Sequence, residues 1–256
     1  MMKRTMMLLA LAVAASPVAA EAIPKFNAGV FQTVGTDKYR GTDVYGAAGV
    51  AGFSIAPEFR HFQETGLGTH NLGMARLGWD TRYVGAGVNA GFMPKAAGSY
   101  AEWGGADVSF TLSPLGDTGI RRIGGPGRGG APVGKGIARV DFGAGVTVTR
   151  HHTDAAVNVT QQEYHGFVGA SVFDVLVSAQ LSKFHYSRDL KAAGVTYAAP
   201  VWTPIGGHAR WDNGYGDEAL NLNVELPIFP MIRPYASYSF ARYASLATGR
   251  PGDSKA

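Results

Sequence analysis

The sequence predicts an all-β protein: an antiparallel transmembrane β-barrel of roughly 10–12 strands behind a cleaved signal peptide. Three observations carry this expectation. Apolar and polar residues alternate with a period of two along most of the chain, which is the side-chain geometry of a strand and not of a helix. The first residues combine a positive start (Lys3, Arg4), the apolar run "TMMLLALAVAA" and the small-residue exit "SPVAAEA", the layout of a secretory signal. Glycine is abundant, at 36 of 256 residues, while charged residues reach only 16%, below the roughly one quarter usual for a soluble surface.

In chain order, strands are expected at 26–34 ("FNAGVFQTV"), 43–55, 58–63, 71–79, 82–92, 101–113, 137–149, 163–173, 175–186, within 216–228, and at 232–243. The segment at 82–92 sets Val84, Ala86, Val88, Ala90 and Phe92 against Tyr83 and Asn89. At 101–113 the faces are Ala106, Val108, Phe110 and Leu112 against Asp107, Ser109 and Thr111. At 137–149, Val140, Phe142, Val146 and Val148 oppose Arg139, Asp141, Thr147 and Thr149. "VLVSAQLSKFHY" puts Val175, Val177, Ala179 and Leu181 opposite Ser178, Gln180 and Ser182. "GDEALNLNVELPI" alternates Leu220, Leu222, Val224 and Leu226 with Asn221, Asn223 and Glu225.

One face of each strand is therefore greasy and the other wet. In an exported sandwich or lipocalin-like barrel the leucines would point inward, and in a membrane barrel they point into lipid. The signal, the low charge and the strand length favour lipid, since crossing a bilayer takes about 9–11 tilted residues. Strand edges cannot face hydrocarbon, so such strands close into a barrel. Trp79, Tyr83, Trp103, Tyr186, Tyr238 and Tyr243 lie near strand ends, as interfacial girdles require. With the N-terminus inside, the short links "AP" (56–57), "DT" (80–81), "FD" (173–174) and "PIFPM" (227–231) fall on the periplasmic side. The links 35–42, 64–70, 93–100, 150–162 and 187–217 fall outside, and only 114–137 breaks the short-inside rule. Bacterial single-chain barrels have even strand numbers; eleven predicted strands imply a miscount or a missing closing strand. The expected division is a signal peptide over 1–22, a barrel over 23–243 and a tail over 244–256.

Composition excludes several classes. No stretch approaches the ~20 consecutive apolar residues of a spanning helix. The chain has no cysteine, so no disulfide framework holds it. Part of the formal charge of +4 leaves with the signal, and no nucleic-acid partner is inferred.

Four motifs invite chemistry. "GAPVGKG" (130–136), after Gly129, approaches a phosphate-binding loop, but Gly136 replaces the magnesium-binding hydroxyl and no helix follows. It reads as a basic loop, with Arg121, Arg122, Arg128 and Lys135. "RHHTD" places His151, His152 and Asp154 in an outer loop; adjacent histidines point apart, and no metal or other cofactor is inferred. Asp107, Arg139, Asp141, Asn221, Asn223, Glu225 and Arg233 are expected to line the lumen, where charged rings tune selectivity or knit a closed plug.

The fourth motif is "FHYSRDL" (184–190). It resembles the His-x-Ser of outer-membrane lipid A 3-O-deacylases, small barrels whose active site lies on the lipid-facing wall. The resemblance implies Ser187 as nucleophile, His185 as base and Glu218, opening the next strand, as orienting group. The chain departs from that family at Arg188, Asp189 and Leu190, and in the long segment before Glu218. More broadly, the glycine-rich strands and the pair "LNLNVELPI…IRPYASYSF" resemble porin-like outer-membrane barrels of Gram-negative bacteria. That resemblance implies passive diffusion or a structural envelope role without catalysis. The implied partners are outer-membrane lipids and lipopolysaccharide, the barrel-assembly machinery and small solutes. An adhesin-like role would rest on Trp202, His208 and Trp211 in 187–217.

Overall fold

A computed structural model describes residues 25–35, 38, 40–64, 68–80, 83–96, 99–112, 138–153, 158–172, 175–188, 218–226, 234–243 and 252–255. The signal-like segment, the basic loop at 114–137 and Trp202, His208 and Trp211 lie outside the described residues. The strands are β1 (Lys25–Val34), β2 (Arg40–Val50), β3 (Phe53–Glu64), β4 (Gly68–Asp80), β5 (Val84–Ala96) and β6 (Ser99–Leu112). They continue as β7 (Ala138–Thr153), β8 (Asn158–Val172), β9 (Val175–Tyr186), β10 (Glu218–Glu225), β11 (Tyr235–Tyr243) and β12 (Gly252–Lys255). All twelve form one antiparallel sheet in strict sequence order.

Burial runs opposite to that of a soluble protein. The shielded face carries Asp43, Glu58, Arg60, His70, Arg76, Asn89, Asp107, Glu163 and Gln180. The outward face exposes Phe59, Leu77, Val88, Val108, Phe142, Val168, Leu181 and Leu222. Gln180 is 2% exposed while its neighbour Leu181 is 60% exposed. A single sheet can shield one face only by curling over it, so the polar face is the concave one. The fold is all-β: one antiparallel sheet curled over its polar face, with the apolar face outward. Among the described residues, β1 and β12 are not hydrogen-bonded to each other.

The register explains the glycine content. Gly91 pairs with Trp103, Gly143 with Phe167 and Gly145 with His165. At each of these glycines a β-carbon would collide with the ring opposite. Tyr45 likewise lies over its partner Gly29, whose β-carbon position is 2.7 Å from the ring. The room that inner glycines leave is taken up by large side chains laid flat across it, so these glycines do not widen the interior.

Four expectations are corrected. The β2–β3 hairpin turns at Ala51 and Gly52, with φ of 53° and 83°, the backbone of a two-residue I′ turn; "AP" (56–57) lies inside β3. Pro57 has no N–H to donate, and the β2–β3 ladder is interrupted opposite Gly46 and Ala47. Trp103 belongs to no outer girdle: it is buried on the inner face, while Tyr238 is exposed opposite the outward Leu222. His151 and His152 sit on β7, which runs on to Thr153, and not in a loop. Finally, β12 pairs with β11 in a tail where no alternation announces it.

Candidate functional site: the polar interior

Period-two geometry delivers one residue in two from each strand to the concave face, and antiparallel register decides which of them meet. On β2 and β3, Asp43 and Arg60 are directly paired. Arg60 Nε donates to Asp43 Oδ1 at 2.6 Å and Nη2 to Glu58 Oε1 at 3.2 Å. From β4, Arg76 reaches past β5 to Asp107 on β6, with Nε to Oδ1 at 3.2 Å and Nη2 to Oδ2 at 2.7 Å. Thr111 Oγ1 donates to Asp141 Oδ1 at 2.5 Å.

A second group lies on β8 and β9. Glu163 Oε1 accepts from Ser182 Oγ at 2.7 Å and from Gln180 Nε2 at 3.4 Å. His165 Nδ1 stands 3.5 Å from the same oxygen, at ion-pair range and without hydrogen-bond geometry. Near the end where β3 meets β4 and β5 meets β6, the inner face turns apolar, with Phe62, Leu72, Met74, Met93 and Trp103 packed together. The ring of Phe62 stacks on His70 at 5.2 Å.

The predicted lining residues distribute as follows. Asp107 is buried on the inner face and Asp141 is half-buried there. Arg139 stands two positions before Asp141 on β7, at a register position opposite Ser171. Asn221 and Asn223 pair with Gln180 and Ser178, which places them on the inner parity, and Glu225 follows two positions on. Arg233 lies outside the described residues. Asp43, Glu58, Arg60, Arg76, Asn89, Glu163 and His165 were not anticipated as lining, although their parity beside glycines and apolar neighbours carried the signal.

On the outward wall, His185 and Ser187 share a parity, as expected, and both are exposed. His185 meets the edge of Tyr164 at 5.8 Å. Ser187 Oγ accepts the Thr160 N–H at 2.9 Å, and the Ser187 N–H closes on the Thr160 carbonyl at 2.8 Å. Glu218 is exposed and directly opposite Lys183, one step diagonal from His185. The two histidines of β7 face opposite ways: His151 Nε2 is 2.9 Å from Gln161 Oε1 inside, and His152 stacks on Tyr100 outside at 4.3 Å. Asp154 lies outside the described residues.

No family model matches the chain, and no curated protein matches it. Among solved structures, it is similar to "Copper transporter OprC" at 11% identity and a TM-score of 0.29, over 90% of this chain. The chain spans 47% of the length of that protein.

Proposed function

We propose that the chain is an outer-membrane β-barrel that gives small polar solutes a narrow, porin-like passage. The observation that carries this reading is the inversion of burial: charged and hydrogen-bonding side chains inside, bare Val, Leu and Phe outside. In water such an outer face would be a very large apolar patch, which soluble monomers do not expose; in lipid it is the surface a barrel requires. Its partners in this reading are outer-membrane lipids and lipopolysaccharide around the wall, and the assembly machinery that inserts it. Purified protein added to a planar bilayer should give small stepwise conductances. A silent bilayer with folded protein would refute the passage.

A second reading, a closed barrel with a structural role in the envelope, is favoured by two observations. Arg60 and Arg76 are both neutralised by carboxylates of the same wall, and an apolar cluster occupies one end of the interior. The silent bilayer is what that reading expects. The deacylase-like alternative is not adopted, because the Ser187 hydroxyl oxygen is engaged by a backbone N–H and Glu218 faces a lysine.

A further inference from the structure

The buried polar groups that lack a hydrogen-bond partner among the described residues include Asn89 Nδ2 and Oδ1, Thr147 Oγ1, both ring nitrogens of His165, and Gln180 Oε1. These four residues are not scattered. Thr147 pairs directly with Glu163, and His165 with Ser182. Asn89 and Thr147 converge over Gly105, whose β-carbon position is 3.0 Å from Asn89 Nδ2 and 2.8 Å from Thr147 Oγ1. His165 lies over Gly145. The result is one continuous belt across β5 to β9, centred on Glu163, with every member more than nine-tenths buried.

Such groups are rare in folded proteins, and each one left unmade costs about 1–3 kcal/mol. The contrast with the rest of the interior is informative. Asp43, Glu58 and Asp107 are each held by an arginine. Among the described residues, Glu163 accepts from a hydroxyl and an amide and has the His165 imidazole 3.5 Å away without a hydrogen bond, with no arginine or lysine within ion-pair reach. Glu163 thus carries a negative charge that no arginine or lysine among the described residues matches, in a belt that also holds the unpartnered polar atoms of Thr147, His165, Gln180 and Asn89.

We propose that this belt is a binding subsite for a small ammonium-bearing solute, the ammonium on Glu163 and the remaining polar groups of the solute on Thr147, His165, Gln180 and Asn89. An ammonium supplies the positive charge that Glu163 is not given by any arginine or lysine among the described residues, together with N–H donors for the unpartnered oxygens, and charge-assisted hydrogen bonds of this kind are the strong ones. The inference deepens the passage reading by naming a solute class, and it rests on that reading only for how the solute arrives.

The test is calorimetric titration of ethylammonium chloride into the folded protein in detergent, with potassium chloride and ethanol as controls, alongside bilayer recordings with and without ethylammonium. The expected result is saturable ethylammonium binding, at least about tenfold weaker in Glu163→Gln, and current block that weakens in parallel. Thr147→Ala, which leaves the carboxylate in place, should weaken binding about fivefold. Heat-modifiable migration verifies that each variant has folded. No ethylammonium binding, potassium binding equally well, or equal affinity in Glu163→Gln and Thr147→Ala as in the wild type would overturn the subsite. Conductance without amine binding overturns the subsite alone; amine binding without conductance overturns the passage alone.

Discussion

Arg76 and Asp107 meet across an intervening strand. The guanidinium leaves β4, passes over Gly87 of β5 and forks onto the carboxylate on β6, 3.2 and 2.7 Å away. Gly87 is paired with both Gly78 and Asp107, and a β-carbon there would collide with the guanidinium. Three strands are thereby tied by two side chains and one absent side chain. The inner glycines of this protein have a steric task of this kind, and their abundance in the composition follows from it.

The pair is buried on both sides, which fixes the sign of its mutations. Asp107→Ala strands a buried cation and should cost about 3–5 kcal/mol, whereas replacing both residues with apolar side chains of similar size should cost far less. Urea unfolding in micelles reads this as a large midpoint shift for the single variant and recovery in Arg76→Met/Asp107→Leu. Equal destabilisation by the single and the double variant would show that the pair is not isolated from solvent.

Facing can be tested on β10, where leucines and asparagines alternate. Leu222 and Val224 are exposed on the outward face, and Asn223 is paired with Ser178 of the inner face. Leu222→Arg or Val224→Arg should cost roughly 2–4 kcal/mol near the bilayer midplane and block assembly, while Asn223→Arg should still assemble. Heat-modifiable gel migration of the three variants gives the comparison, and tolerance at Leu222 equal to that at Asn223 would contradict the assignment of faces.

The outward Ser187 provides a third test. Its oxygen accepts the Thr160 N–H, a bond that finishes the β8–β9 ladder. Ser187→Ala should therefore leave the lipid A of expressing cells unchanged in its mass spectrum. Loss of one 3-O-linked acyl chain in wild-type cells, absent in Ser187→Ala cells, would restore the hydrolase reading with His185 and Glu218.

Much of this architecture is legible in the sequence because a strand residue's facing depends only on its parity. The inner Asp107 and Asp141 follow from counting by twos, and so do the outward Val108, Phe110 and Leu222. Parity also marks Trp103 as an inner residue, two steps before Gly105 and four before Asp107; its aromatic character obscured that. Pro57 reads as a turn, yet an interrupted ladder accommodates it within β3, and the turn belongs to the less conspicuous Ala51–Gly52. "EYHGFVGASVF" alternates poorly because Phe167 faces inward over Gly143, which hid the inner parity of Glu163 and His165. What no local pattern supplies is register: the meeting of Glu163 with Ser182 and Gln180 depends on how the hairpin between β8 and β9 closes. The distant pair Arg76–Asp107 depends on a glycine in the strand between.

The central claim is that the apolar face meets lipid and the polar face is enclosed, and β8 tests it most directly. The chain has no cysteine, so single cysteines can be placed and spin-labelled without background. Tyr164→Cys, Gly166→Cys and Val168→Cys report the outward positions, and His165→Cys, Phe167→Cys and Gly169→Cys the inward ones. In protein reconstituted into bilayers, collision rates with dissolved oxygen, which concentrates in hydrocarbon, should be high at 164, 166 and 168 and low at 165, 167 and 169. Oxygen accessibility without this alternation, or highest at the odd positions, would contradict the account.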